Sequence, residues 1–341
     1  MLKILNRKIN WLVLVLVLVL AFVVTGCSSK GAPSGNSGSQ APKQLKVALI
    51  LPGPINDNGW DSIAYQGLMQ AQQQLGVQTA YQENVAQSDN ETAFRTFAQQ
   101  GYDLIIGHGS QYSDAAEAVA KDFPKTMFLV TSTNIFQPPN VASMNVSNVD
   151  VGFIGGVEAA LVTKTKKIGF IGGEPIAPIT DAAGGFAKGA KYIDPSITVM
   201  YTNTGSFDDV AKAKETAKTF ISKGADVVLG DANQAGLGVI QAAQEAGVLA
   251  IGYTTDESSV APNTVIASTL QIYPVGITYI IKQMQDGNFQ PKYYDLSVAQ
   301  GAVGAAWNNA LASQIPAGAQ DKMNQVIAGM KSGTLVPSNL P

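Results

Sequence analysis

The chain is poor in the residues that most catalytic chemistry uses. A single cysteine, Cys27, and a single histidine, His108, occur in 341 residues. One cysteine excludes an internal disulfide or a thiolate metal cluster, so stability has to come from a packed core. One histidine excludes metal sites that need two and leaves a Ser–His pair a single candidate base. There is no GxxxxGK[ST] phosphate loop and no GxSxG elbow, and Gly107-His108-Gly109 and Gly236-Leu237-Gly238 lack the third glycine of a dinucleotide fingerprint. Charged residues make up only 14% of the chain, and the net charge of −3 is spread without basic clusters, which argues against a nucleic-acid partner. No carboxylate pair stands out by spacing. The expectation is a binding protein without cofactor or metal, not an enzyme.

What is present begins with an address. Lys3, Arg7 and Lys8 precede an apolar run from Trp11 to Val24, shorter than the roughly 20 residues of a spanning helix. Val24-Thr25-Gly26 then places small residues before Cys27, as a processed secretory signal requires. Residues 1–26 are expected to be a signal peptide, and residues 27–44, rich in Ser, Gly, Pro and Ala, a flexible tether.

The body alternates. Strand-length apolar runs recur at Val47 to Leu51, Val77 to Tyr81, Leu104 to Ile106, Met127 to Val130, Ile168 to Ile171, Val199 to Tyr201, Val227 to Leu229 and Leu249 to Gly252. Helical patterns lie between them, such as Thr92 to Gln99, Asp114 to Asp122, Val149 to Val162, Val210 to Ser222 and Leu237 to Ala246. Strands separated by helices give mainly parallel sheets flanked by helices, an α/β architecture. Two such sets predict two lobes, 45–163 and 164–271, divided at the charged break Thr163 to Lys167. Residues 272–341 are expected to cross back between the lobes.

The stretch Leu45 to Leu75 organises the reading. Its strand ends at Pro52-Gly53-Pro54, a polar loop containing Asn58 follows, and a helix opens at Trp60-Asp61. A loop at the carboxyl end of such a strand is where open α/β sheets bind ligands, and Trp60 there is a plate for stacking. His108 and Gly109 follow another strand, Phe207 precedes a helix, and Asn233 and Asp256 follow two more strands. One aromatic plate per half, with amides and carboxylates beside it, suits a flat, polar, uncharged molecule in a cleft. A purine between Trp60 and Phe207 fits; a sugar also stacks on aromatics.

At these residues the chain resembles the basic membrane protein (Bmp/Med-like) lipoproteins. The likeness runs from about Leu45 to Phe289 through INDNGWDSIAYQGL, DLIIGHGSQYSDA, GGVEAALVTKTKKIGFIGG, GGFAKGAKYIDP, TGSFDDVAKAKETA and GLGVIQAAQEAGVLAIGYTTDE. The resemblance implies a type I periplasmic-binding fold with a hinge, and delivery of a purine nucleoside to the permease of an ABC importer. It also implies cleavage before Cys27 and a diacylglycerol anchor on its sulfur, holding the protein on the extracytoplasmic side of the cell membrane. Trp60 and Phe207 take the places of the family's stacking aromatics, Asp61 follows the first plate, Asp256 matches an acid that holds ribose, and Asp114 lies near a base-reading acid. Where nucleoside-binding relatives carry a lysine, this chain has Ser268-Thr269-Leu270-Gln271, which makes Gln271 a candidate contact. A free nucleobase, another heterocycle, or a role of the same fold in adhesion or sensing stays open.

Overall fold

The computed structural model describes residues 44–57 and 59–341, so the expected signal and tether, Cys27 and Asn58 lie outside the described residues. The first sheet takes β1 (Lys46–Ile50), β2 (Gln78–Gln82), β3 (Leu104–Gly107), β4 (Met127–Thr131) and β5 (Val141–Val146), with a late strand, β11 (Tyr293–Leu296), at its edge. Its order is β11-β5-β4-β3-β1-β2, parallel throughout. The second sheet takes β6 (Lys167–Gly172), β7 (Thr198–Asn203), β8 (Val227–Asp231), β9 (Leu249–Thr254) and β10 (Val265–Gln271). There β12 (Val303–Trp307) closes the edge antiparallel to β10, in the order β12-β10-β9-β8-β6-β7.

Helices cover both faces of each sheet, which is why the central strands are continuously apolar instead of alternating. In the first lobe α1 (Trp60–Leu75) and α8 (Tyr273–Gln285) pack together on one face, and α2 (Asn90–Gln99) and α3 (Ser113–Ala120) pack on the other. Gly67 sets the α1–α8 distance, because a Cβ there would lie 3.0 Å from Pro274 and Ile277. In the second lobe α6 (Val210–Ser222) and α7 (Gly236–Ala246) cover one face; α4 (Asn148–Val162) and α5 (Ala177–Ile193) cover the other. α9 (Ala319–Ser332) packs beside α4.

The α4–α5 seam is built from glycine. Added Cβ atoms on Gly152 and Gly156 would overlap the carbonyl oxygens of Ala182 and Phe186, and on Gly185 and Gly189 those of Val149 and Phe153. Two helices each carrying glycines four residues apart thus bring their backbones into direct contact.

That seam moves the lobe boundary. Residues 45–163 do not form the first lobe, because α4 packs on α5 and on β8, β9, β10 and β12 of the second sheet. The charged break at Thr163 to Lys167 is a surface turn inside the second lobe, gathered by the Asp226 carboxylate through Thr163 Oγ1 and the Lys164 and Thr165 amides. The chain passes between lobes at Ser147–Asn148, at Gln271–Tyr273 and between β11 and β12. One hydrogen-bonded chain stitches the first two passages: Gln271 Nε2 donates to Asn148 Oδ1 (3.1 Å) and Asn148 Nδ2 to Asn145 Oδ1 (3.2 Å). Asn145 Nδ2 continues to Asp295 Oδ1 (3.3 Å), and the Val298 amide in the third passage donates to Asp150 Oδ2 (3.4 Å). Among the described residues no helix is long and apolar enough to cross a membrane.

Candidate functional site

The first plate is set by its own loop. Gly59 precedes α1 and has no side chain to cap it, so Asp57 takes the task. Its carboxylate accepts the amides of Gly59 (2.9 Å), Asp61 (2.9 Å) and Ser62 (3.0 Å), satisfying donors the helix leaves open. Trp60, the first residue of α1, is thereby fixed at the end of β1.

Behind the indole lies His108, stacked at 4.2 Å with 26° between the planes, and Tyr273 meets Trp60 edge-on at 4.9 Å. His108 is fully buried. Its Nε2 lies 3.0 Å from the Trp60 carbonyl oxygen, which can only accept, so Nε2 carries the proton and Nδ1 is bare. Thr131 Oγ1 donates to Nδ1 (2.9 Å) and accepts from the Gly109 amide (2.9 Å), which closes the network without a spare donor. Burial pushes the imidazole down to about 3, so it stays neutral. Thr131→Val keeps the shape and orphans two buried groups. It is expected to lower the unfolding free energy by about 2 kcal/mol or more, read from urea denaturation.

The opposite wall comes from the second lobe. Phe207 packs against Gly173, where any Cβ would overlap the ring, and its carbonyl accepts the Ala235 amide (2.8 Å). Asn233 sits beside it in the left-handed region, φ 47°. The two lobes meet here: a Cβ on Gly59 would be 3.0 Å from Asn233 Oδ1. Deeper in, Asp231 ends β8 and Tyr253 lies near the end of β9, both buried. The Tyr253 hydroxyl faces the Asp231 carboxylate outside hydrogen-bond geometry and finds no other partner. Burial pushes the Asp231 carboxyl up to about 7.

The other expected residues scatter. His108 stands behind Trp60 and carries the plate from the back, and Gly109 spends its amide on Thr131. Asp61 is buried under Gly53 with one oxygen unpartnered, and burial raises its carboxyl to about 6. Asp114 is exposed in the first turn of α3. Asp256 is also exposed and accepts the Ser258 amide (3.0 Å), while its neighbour Glu257 turns inward to the Tyr253 amide (3.0 Å). Gln271 is buried between Thr254 Oγ1 (3.4 Å) and Asn148, and so belongs to the lobe connection. Sequence reasoning missed Tyr273, Tyr253 and Thr131 and did not count Asp231 among the site residues. A signal existed for two of them, since Asp231 closes one apolar strand and Tyr253 stands one residue before the end of the next, each two residues past a core position.

Among the described residues no three His, Cys, Asp or Glu side chains are grouped to hold a metal ion. Two α/β lobes joined by three passages, with aromatic rings presented from both sides where they meet, define a two-lobed solute-binding protein. The chain belongs to the Bmp family, described as ABC transporter substrate-binding protein PnrA-like, whose model matches residues 44–332. The members of this family are solute-binding proteins, not enzymes, and they serve ABC transporters. Among curated relatives, the transcriptional activator protein Med of Bacillus subtilis is 34% identical over 255 residues, covering 74% of this chain and 79% of its own. The ABC transporter nucleoside-binding protein BmpA of Lactococcus lactis is 32% identical over 290 residues, covering 78% and 82%. Among solved structures, a transcriptional activator of the comK gene from Bacillus halodurans has the same fold, with a TM-score of 0.76 at 22% identity over 86% of this chain and 99% of that one.

Proposed function

We propose that this protein captures a purine nucleoside between Trp60 and Phe207 and delivers it to the permease of an ABC importer, anchored to the extracytoplasmic face of the membrane through a lipid on Cys27. The observation that carries the reading is the aromatic stack Trp60–His108–Tyr273 in one lobe, at the place where Gly59 approaches Asn233 of the lobe that bears Phe207. A neutral, fully hydrogen-bonded imidazole behind the indole adds no charge, so the plate suits an uncharged heterocycle. The nucleoside-binding name of the Lactococcus lactis relative supports the ligand class.

Stacking of a base on an aromatic is worth about 1–3 kcal/mol, so Trp60→Ala is expected to weaken binding roughly 5- to 150-fold, and Phe207→Ala similarly. Native mass spectrometry of the protein without its lipid, refolded against a panel of nucleosides and nucleobases, checks this. Binding of free bases alone moves the assignment to nucleobase capture. No bound small molecule from the panel sinks the purine reading.

A further inference from the structure

Asp231 and Tyr253 are the polar side chains of the cleft that the packing of the second lobe does not use up. β8 pairs with β9 through Leu229 opposite Ile251. Two residues further along, Asp231 and Tyr253 therefore stand side by side on the same face of the sheet. The main-chain oxygen of Asp231 accepts the amide of Gly173, the residue against which Phe207 packs (2.9 Å). The Tyr253 hydroxyl lies within electrostatic reach of the Tyr273 hydroxyl, and the Tyr273 ring makes a T-shaped contact with Trp60.

Both are more than nine-tenths buried, Asp231 at 8% and Tyr253 at 7% exposure. The Tyr253 hydroxyl is buried without a hydrogen bond of good geometry, and the Asp231 carboxyl has only that hydroxyl beside it. Such burial is costly, and the cost is recovered when a bound molecule completes the hydrogen bonds. Asp256, the acid expected from sequence, is exposed and engaged with its own turn.

We infer that Asp231 and Tyr253 form the specificity-determining wall of this cleft, Asp231 accepting a hydrogen bond from an O–H or N–H of the ligand and the Tyr253 hydroxyl bonding to the adjacent ligand atom. The inference rests on the purine-capture reading above. The donor is a ribose hydroxyl or a ring N–H, and the pair therefore prefers ligands with a donor beside a second polar atom over apolar heterocycles of the same size.

The test is isothermal titration of the wild type, Asp231→Asn and Tyr253→Phe with inosine and with hypoxanthine, together with the melting temperature of each variant. Asp231→Asn is expected to lower affinity about 10- to 100-fold, and Tyr253→Phe about 5- to 10-fold, without a fall in melting temperature. Loss confined to inosine identifies the ribose as donor, and loss with hypoxanthine as well identifies the base. Unchanged affinity in both variants overturns the inference and leaves purine capture standing. A fall in melting temperature with unchanged affinity does the same, because it marks the pair as structural. If the wild type binds neither probe, the purine reading fails and the inference with it.

Discussion

Gly156→Ala is expected to destabilise the protein by about 3 kcal/mol or more, the upper end of what overpacking costs. The reason is the nature of the neighbour. The new methyl would overlap the Phe186 carbonyl oxygen and crowd the Ala190 amide, and backbone cannot rotate aside as a side chain can. The two helices would have to separate along their whole seam, taking Gly152, Gly185 and Gly189 out of contact as well. Gly184→Ala is the internal control. It lies in the same helix α5 with nothing within 4 Å of an added Cβ, so the substitution is expected to stabilise by about 0.5–1 kcal/mol through helix propensity. Urea unfolding of both variants reads the difference; equal stability of the two would show that the helices do not touch as described.

The second large effect concerns Glu158. It is fully buried on α4, and neither carboxylate oxygen has a partner. Its neighbours on the helix show where it points: an added Cβ on Gly155 would meet Leu229 and Thr269, and Thr269 Oγ1 donates to the Val151 carbonyl, so this stripe of α4 faces the sheet. Burial raises the Glu158 pKa well above its ordinary value. The sign follows. Below the unfolded value, near 4.5, the group is neutral in both states and contributes no pH dependence. As pH rises past that value, folding has to take up a proton, and stability falls by up to about 1.4 kcal/mol per pH unit until the folded group ionises. Asp61, Asp150, Asp231 and Glu257, all raised mainly by burial, act in the same direction, so the wild type is expected to lose stability between pH 5 and 8. Glu158→Gln is expected to remove a distinct share of that slope, and Glu158→Leu to raise the melting temperature at pH 8 while changing little at pH 4. An unchanged slope in Glu158→Gln would mean that the carboxyl is already paired.

How far the sequence carried varied with the kind of question. Apolar runs bounded by glycine and proline located the strands from Val47, Leu104, Ile168, Val227 and Leu249 to within a residue or two. The helix at Trp60 and its buried stripe Ile63, Ala64, Gly67, Leu68 and Ala71 were also legible, because burial on one face writes a period into the chain. The helix Ala177–Ile193 was not legible. Gly184, Gly185 and Gly189 lower its local helix propensity, and only the partner helix explains why two of them are there. The strand Val141–Val146 was hidden for another reason, since Ser143 and Asn145 interrupt its apolar run and it is completed by pairing with β11 far along the chain. In the site, position was readable and direction was not. His108 stands at a strand end as expected, but whether an imidazole faces the cleft or the back of a tryptophan depends on Thr131, which lies on a different strand.

The order in which the strands occur along the chain bears on how the protein is made. Each sheet is finished by a late piece, β11 for the first and β12 for the second. Until residues 293–307 have been synthesised, β5 and β10 are open edges whose unpaired amides and carbonyls invite pairing with another chain. Both sheets are therefore completed only at the end of synthesis, and a chain cut short before Tyr293 would carry two unguarded edges.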